Sequence, residues 1–128
     1  MIVNGVNLPD PDIGDPDFIE KFENAQQRCS ESFTEAANKD VKWSEKVRSQ
    51  CIAVFEFFEE VFGEGAAKQV FGDSVNLRVC VDAYAEASNG VRALDNDLAA
   101  HFRSMGENFN RQQRRHNHPQ KSHKKHKG

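Results

Sequence analysis

The sequence contains little cysteine, and the three cysteines that it has lie far apart. Cys29, Cys51 and Cys80 form no C-x-x-C pair, and an odd number of cysteines in a chain of 128 residues is atypical of a disulfide framework. Such sparse use of cysteine favours a reducing compartment. Each cysteine falls on the apolar stripe of a predicted helix, so we expect all three to be buried and inert, and not nucleophiles or zinc ligands.

Long apolar runs are also missing. No segment approaches the ~18 consecutive apolar residues that a membrane-spanning helix requires. The first ten residues lack the basic segment and apolar run of a secretory leader, so we expect no signal peptide. These two features predict a cytoplasmic protein without a membrane partner.

The sequence lacks the motifs of the common catalytic sites. It contains no G-x-S-x-G, no P-loop, no G-x-G-x-x-G and no H-E-x-x-H. Four of the five histidines lie at or beyond residue 116, where their loose spacing in a lysine-rich segment predicts no ordered zinc site. Glu56, Glu59 and Glu60 lie on the polar side of a predicted helix, which we interpret as a solvated face. We therefore expect no enzyme activity, no cofactor and no resident metal.

Charge is distributed unequally along the chain. Residues 1–107 contain all 20 acidic residues and 10 of the 17 basic ones, whereas residues 108–128 contain seven basic residues and no acidic one. The sequence therefore predicts an acidic body followed by a basic tail. Residues 111–127 of this tail have no interleaved aromatic residues, so any binding of nucleic acid through them would be non-specific.

Apolar periodicity predicts three main helices and a short one. Asp15-Pro16 is a typical helix start, and the first helix is expected to end near Asn38. The second is expected over residues 41–62, with Trp43 on its apolar arc, and a short helix over residues 66–71. A heptad pattern then predicts one long helix, with Asn89-Gly90 as its weak point. The residues that repeat every seven positions are Leu77, Tyr84, Val91, Leu98 and Met105, and Val81, Leu94, Phe102 and Phe109 occupy intermediate positions.

These elements predict an all-α fold. We expect a bundle of three main helices plus a short fourth, a small N-terminal β-hairpin or arm around the turn-forming Asn4-Gly5, and a disordered basic C-terminal tail. The corresponding boundaries are residues 1–14 for the arm, 15–109 for the helical domain and 110–128 for the tail.

The second helix is rich in phenylalanine. These residues either pack in the core or bind another protein. Three helices offer few internal partners for three wide apolar stripes, so we expect part of this surface to be exposed for a partner. Phe57, at the edge of the apolar arc, is the first choice. The full set of candidate partner-binding residues is Phe55, Phe57, Phe62, Arg111, Arg114 and Arg115.

Several stretches resemble the tail assembly chaperones of long-tailed bacteriophages. The similarity involves residues 1–6 (MIVNGV), residues 47–65 of the second helix, residues 77–83 (LRVCVDA) and residues 110–115 (NRQQRR). It spans residues 1–115, and the Lys/His-rich residues 116–128 depart from it.

The resemblance implies a chaperone that binds the tape measure protein in the bacterial host cytoplasm and keeps its apolar helices soluble until the tail tube forms. It allows the tail tube protein and a second copy of the chain as further partners. Two alternatives remain open. One is a small nucleic-acid-associated protein that acts through its basic tail, and the other is a structural or adaptor subunit that stays in a larger assembly.

Overall fold

A computed structural model describes residues 1–116 of the protein, with side chains described through residue 111. The chain begins with an antiparallel hairpin of strands β1 (Ile2–Val3) and β2 (Val6–Asn7). Within the described residues four helices follow, namely α1 (Pro16–Asn38), α2 (Trp43–Phe62), α3 (Ala66–Phe71) and α4 (Leu77–His116). The predicted all-α fold with three main helices, a short fourth and a small N-terminal hairpin is confirmed.

The chain divides after Arg92 into two units. The first is Met1–Arg92, and the second begins at Ala93. The first unit comprises the hairpin, α1, α2, α3 and the beginning of α4. The described part of the second unit is the remainder of that helix, up to His116.

The hairpin turns at Asn4 and Gly5, which both have positive φ, at 51° and 75°. This backbone is the one that an Asn-Gly pair adopts most readily in a two-residue hairpin. The Asn4 side-chain amide donates to the Val70 carbonyl at 2.8 Å, and its backbone N–H donates to a Glu86 carboxylate oxygen at 2.9 Å. These two bonds connect the turn to α3 and α4, and Val3 is fully buried beside it.

Helix α1 begins where its sequence predicts. The Asp15 carboxylate accepts a hydrogen bond from the Asp17 backbone N–H at 2.9 Å, and Pro16 occupies the first helical position. Together they satisfy an amide that the helix leaves free and set the backbone for the first turn. The side chains of α1 that are buried lie on one side of the helix and are Phe22, Ala25, Cys29 and Ala36.

The link between α2 and α3 is built around a glutamate. Helix α2 ends at Gly63, and the Glu59 carboxylate then accepts hydrogen bonds from the backbone N–H groups of Ala67 at 2.7 Å and Gly65 at 2.9 Å. These amides, that of Ala67 first, lower the pKa of Glu59. Glu59 is accessible to solvent, as expected, but its carboxylate has a role that the sequence interpretation did not include, because it caps the start of α3.

The core of the first unit is aromatic. Phe57 and Phe58 are almost completely buried at its centre, and their ring centroids lie 5.4 Å apart in an edge-to-face arrangement. Phe71 of α3 packs edge-on against Phe58 at 5.3 Å. The beginning of α4 contributes small and medium side chains that are also buried, namely Cys80, Ala83, Ala87 and Val91.

Helix α4 continues to His116, past the expected beginning of the tail at residue 110. Residues 107–116 contain no glycine or proline, and arginine and glutamine are good helix formers, so these residues continue the helix. The predicted disorder of the basic tail otherwise concerns residues 117–128, which lie outside the described residues. Asn89-Gly90, the expected weak point, lies within uninterrupted helix.

Candidate partner-binding surface

The sequence prediction that Phe57 is exposed to a partner is wrong. Its side chain is only 1% exposed, and its ring lies 4.7 Å from that of Tyr84 and 6.1 Å from that of Phe22. Because α2 has neighbours on several sides, a residue at the edge of its apolar arc lies in the middle of the core. Phe57 is therefore a core residue and cannot bind a partner in the folded protein.

The other two candidates on α2 are half-buried. The Phe55 ring packs 5.1 Å from Phe71 of α3, and the Phe62 ring stacks 5.6 Å from Phe58. Both rings pack against aromatic residues of the first unit and are only partly exposed to solvent. They are therefore weak candidates for a partner surface.

Trp43 is exposed although the sequence predicts that it is buried. Sequence periodicity places it on the buried arc of α2, yet its side chain is 82% exposed. Trp43 is the first residue of α2, after the cap residue Lys42, and the buried residues of that helix begin only at Gln50. The first turns of α2 thus lie beyond the part of the helix that the core covers.

The most extensive exposed apolar surface in the described second unit is a stripe on α4. Four large side chains are 47%, 74%, 54% and 60% exposed, and we call them the α4 seam: Leu98, Phe102, Met105 and Phe109. Their spacings of four, three and four residues place them along one side of the helix. The heptad spacing of these residues is visible in the sequence, but the predicted partner-binding residues do not include them.

Gly106 lies beside the α4 seam, and no other described residue packs closely against it. A Cβ atom added to Gly106 would meet nothing within 4 Å. At Gly90, by contrast, an added Cβ would lie 2.9 Å from the Met1 Cε, so that glycine allows the close approach of another side chain. Glycine in a helix interior costs about 1 kcal/mol relative to alanine. At Gly106 no contact within the described chain offsets this cost.

The predicted tail residues are only partly within the described structure. The Arg111 side chain is exposed, and its guanidinium donates a hydrogen bond to the Asn108 side-chain oxygen at 3.4 Å. The side chains of Arg114 and Arg115 lie outside the described residues. The structure thus places Arg111 two residues after the last member of the α4 seam.

The three cysteines are buried, as predicted. Burial, together with the negative charge of Glu56, raises the pKa of Cys29 from 9.0 to about 11. Burial and the neighbouring Cys51 thiol raise the pKa of Cys80 to about 12. Because the thiolate is the reactive form, both residues are poor nucleophiles at neutral pH.

The first unit contains a cleft of about 470 Å³ between α1 and α2. An ion pair between Arg28 and Glu60 lies at its edge, and Cys29 and Phe57 line its floor. Across the part of the chain that is described, no three His, Cys, Asp or Glu side chains are grouped so that they could bind a metal ion. In the same residues, no helix is both long enough and apolar enough to cross a membrane.

Comparison with known proteins gives a family for the chain. Residues 4–118 match the model of a family of unknown function, DUF6673. A search of curated proteins found no match, and a search of solved structures found none either. Because the match covers most of the 128 residues, the chain belongs to this family.

Proposed function

We propose that this DUF6673 protein is a tail assembly chaperone, which binds apolar helices of a phage tape measure protein through the α4 seam in the bacterial host cytoplasm. In this proposal the chain acts by binding and not by catalysis. The observation that carries the proposal is the exposure of the α4 seam, above all of Phe102, which is 74% exposed. Large aromatic side chains contribute most to binding energy where a partner covers them.

The geometry of the α4 seam fits a helix better than a flat or extended partner. Its spacings of four, three and four residues are those of the apolar positions in a coiled coil. From Leu98 to Phe109 the stripe is about 17 Å long at the rise of an α-helix. A partner helix with the same apolar spacing would cover all four side chains.

The charge of the first unit suits a protein that keeps an apolar client in solution. Residues 1–92 contain 17 acidic and nine basic residues, a net charge of −8. A strongly charged body keeps the complex soluble, whereas burial of apolar side chains supplies most of the affinity. These two properties lie in different units of the chain.

The resemblance of residues 1–115 to tail assembly chaperones supports the tape measure protein as the client. Such a client consists largely of long apolar helices, which the α4 seam would suit. The proposal predicts that the gene lies between those of a tail tube protein and a very long tape measure protein. A gene far from any tail cluster would contradict it.

Co-expression with the tape measure protein of the same genome tests the binding directly. We expect the wild-type chain to keep the client soluble and to co-purify with it. Phe102→Glu should lose both properties, because it places a charge in the middle of the apolar stripe. Ala100→Glu, which adds the same charge to an exposed position on the opposite side of α4, is the matched control and should retain both.

Two results would contradict the proposal. One is a client that is equally soluble without this protein. The other is equal client binding by Phe102→Glu and Ala100→Glu, since this would place the client away from the α4 seam. Circular dichroism of both variants checks that the helices are intact.

A further inference from the structure

We infer that a second copy of this chain covers the α4 seam when no client is present, and that the two α4 helices pair antiparallel. This inference deepens the proposed function, because it assigns a resting state to the same binding surface. Four observations support it: the register of the seam, an unexplained glycine beside it, the charge along the helix, and the size of the exposed surface.

The register of the α4 seam permits antiparallel self-pairing. In an antiparallel coiled coil, the two kinds of apolar position face each other across the interface. Leu98 then lies opposite Phe109 of the second copy, and Phe102 lies opposite Met105. The two copies thus form four apolar layers, each with a large and a smaller side chain, and no seam residue is left without a partner.

Gly106 gains a role in this arrangement. It occupies a position that flanks the seam, and Ala99 lies seven residues earlier on the same flank. In the antiparallel register Gly106 of one copy lies next to Ala99 of the other. Two such small residues let the helix backbones approach closely. An added Cβ at Gly106 would meet nothing within 4 Å among the described residues, and a neighbouring helix of a second copy explains why glycine is present there.

Charge along the helix favours the antiparallel direction. Residues 93–101 carry Asp95 and Asp97 and no basic residue other than His101, a net charge of −2. Residues 102–111 carry Arg103, Glu107 and Arg111, a net charge of +1. Antiparallel pairing brings the acidic end of each copy to the basic end of the other, whereas parallel pairing would place like charges together.

The exposed area of the α4 seam is small, so we expect the dimer to be weak and its two copies to dissociate readily. The four seam side chains, exposed by about half to three quarters, offer roughly 500 Å² per copy, judged from the size of such side chains. A stable interface buries about 800 Å² on each side. We therefore expect a dissociation constant of roughly 1–100 µM, so that the two copies separate readily when a client is present.

Sedimentation velocity of the full-length chain without client tests the self-association. We expect a monomer–dimer equilibrium within this concentration range. Gly106→Gln should weaken dimerisation by about tenfold or more, because the larger side chain separates the helices. Ala100→Gln, an identical side chain on the opposite side of α4, should change it by less than about twofold. Glutamine forms helix better than glycine, so Gly106→Gln leaves the monomer folded.

The direction of pairing is tested by cross-linking of cysteines added at the flank. A mixture of Ala99→Cys and Gly106→Cys chains should form the mixed disulfide under mild oxidation. Neither variant alone should become cross-linked, because identical added cysteines lie apart in the antiparallel dimer. The native cysteines are buried and should not interfere. A dimer in which only identical chains become linked would overturn the antiparallel register.

Failure of this inference is distinguishable from failure of the proposed function. A chain that stays monomeric up to several times the expected range, or a Gly106→Gln variant that dimerises as the wild type does, overturns the inference. The client test with Phe102→Glu requires no dimer and stands apart from both results. A dimer that forms as expected in a chain that binds no client would retain the pairing and reject the chaperone.

Discussion

Phe57 and Phe102 are both phenylalanines on apolar stripes, but replacing them by alanine should affect different properties. Phe57→Ala should mainly lower the stability of the fold, whereas Phe102→Ala should mainly weaken client binding. Phe57→Ala removes a ring that packs against Phe22, Phe58 and Tyr84, with centroid distances of 6.1, 5.4 and 4.7 Å. Truncation of a buried phenylalanine costs about 3–5 kcal/mol. A domain of this size is stable by about 5–15 kcal/mol, so Phe57→Ala should remove a large part of the free energy of unfolding.

Phe102→Ala should leave the free energy of unfolding almost unchanged. The side chain is 74% exposed, so its removal leaves no cavity in the described chain. Surface substitutions of this kind change stability by about 0.5 kcal/mol or less, and alanine is the better helix former. Client binding should be weakened more by Phe102→Ala than by Phe57→Ala in the folded protein, because the client would cover Phe102 and would not contact the buried Phe57.

Urea denaturation followed by far-ultraviolet circular dichroism measures the stability of both variants. Fluorescence of Trp43 is a poor probe, because that side chain is already 82% exposed in the folded protein. Low protein concentration removes any contribution from self-association. A loss of less than about 1 kcal/mol for Phe57→Ala, or of more than about 1.5 kcal/mol for Phe102→Ala, would refute the assignment of core and binding surface.

Three further predictions concern groups within one chain. Because burial raises the pKa of Cys29, the stability contributed by its neutral thiol should be complete below pH 9.0 and be lost as the pH rises towards about 11. At neutral pH a thiol reagent should label none of the cysteines until denaturant is added. Glu59→Gln should reduce stability at neutral pH, because amide hydrogen bonds to the ionised carboxylate lower the pKa of Glu59. Urea titrations should show this difference shrinking as the pH falls below 4.5, the ordinary value for glutamate, and the wild-type carboxylate protonates. Gly106→Ala should stabilise the monomer by about 0.5–1 kcal/mol in thermal unfolding, whereas Gly90→Ala should gain less because Met1 must move; equal gains would contradict the close contact.

Much of the secondary structure follows from local chemistry in the sequence. Asp15-Pro16 defines the start of α1, because the carboxylate and the proline ring act on the first turn itself. Gly63 and Gly72 end α2 and α3 with positive φ, which other residues rarely adopt. The Asn4-Gly5 turn is likewise local. Such signals need no knowledge of the rest of the fold.

Tertiary contacts determine the positions whose burial or role the sequence predicted wrongly or incompletely. A helical wheel places Phe57 at the edge of an arc and Trp43 within it, but the surrounding helices decide which one is buried. The Glu59 carboxylate reaches amides six and eight residues further along the chain, beyond what helix periodicity describes. The α4 seam was visible as a heptad pattern, yet periodicity alone does not tell a buried stripe from an exposed one.

Whether the protein leaves its partner distinguishes a chaperone from a structural subunit, and the α4 seam makes a prediction on this point. A contact of roughly 500 Å² on each side is smaller than that of most permanent complexes, so dissociation should be fast on the time scale of assembly. The acidic first unit adds charge repulsion towards other acidic surfaces but little apolar area to oppose release. Quantitative mass spectrometry of purified, finished tails should therefore find this chain absent or far below the tape measure protein. Assembly intermediates from infections with a phage that lacks its tube protein should contain this chain in an amount comparable to the tape measure protein. A stoichiometric amount in finished tails would show that the chain is a structural subunit, and the α4 seam would then be a permanent interface.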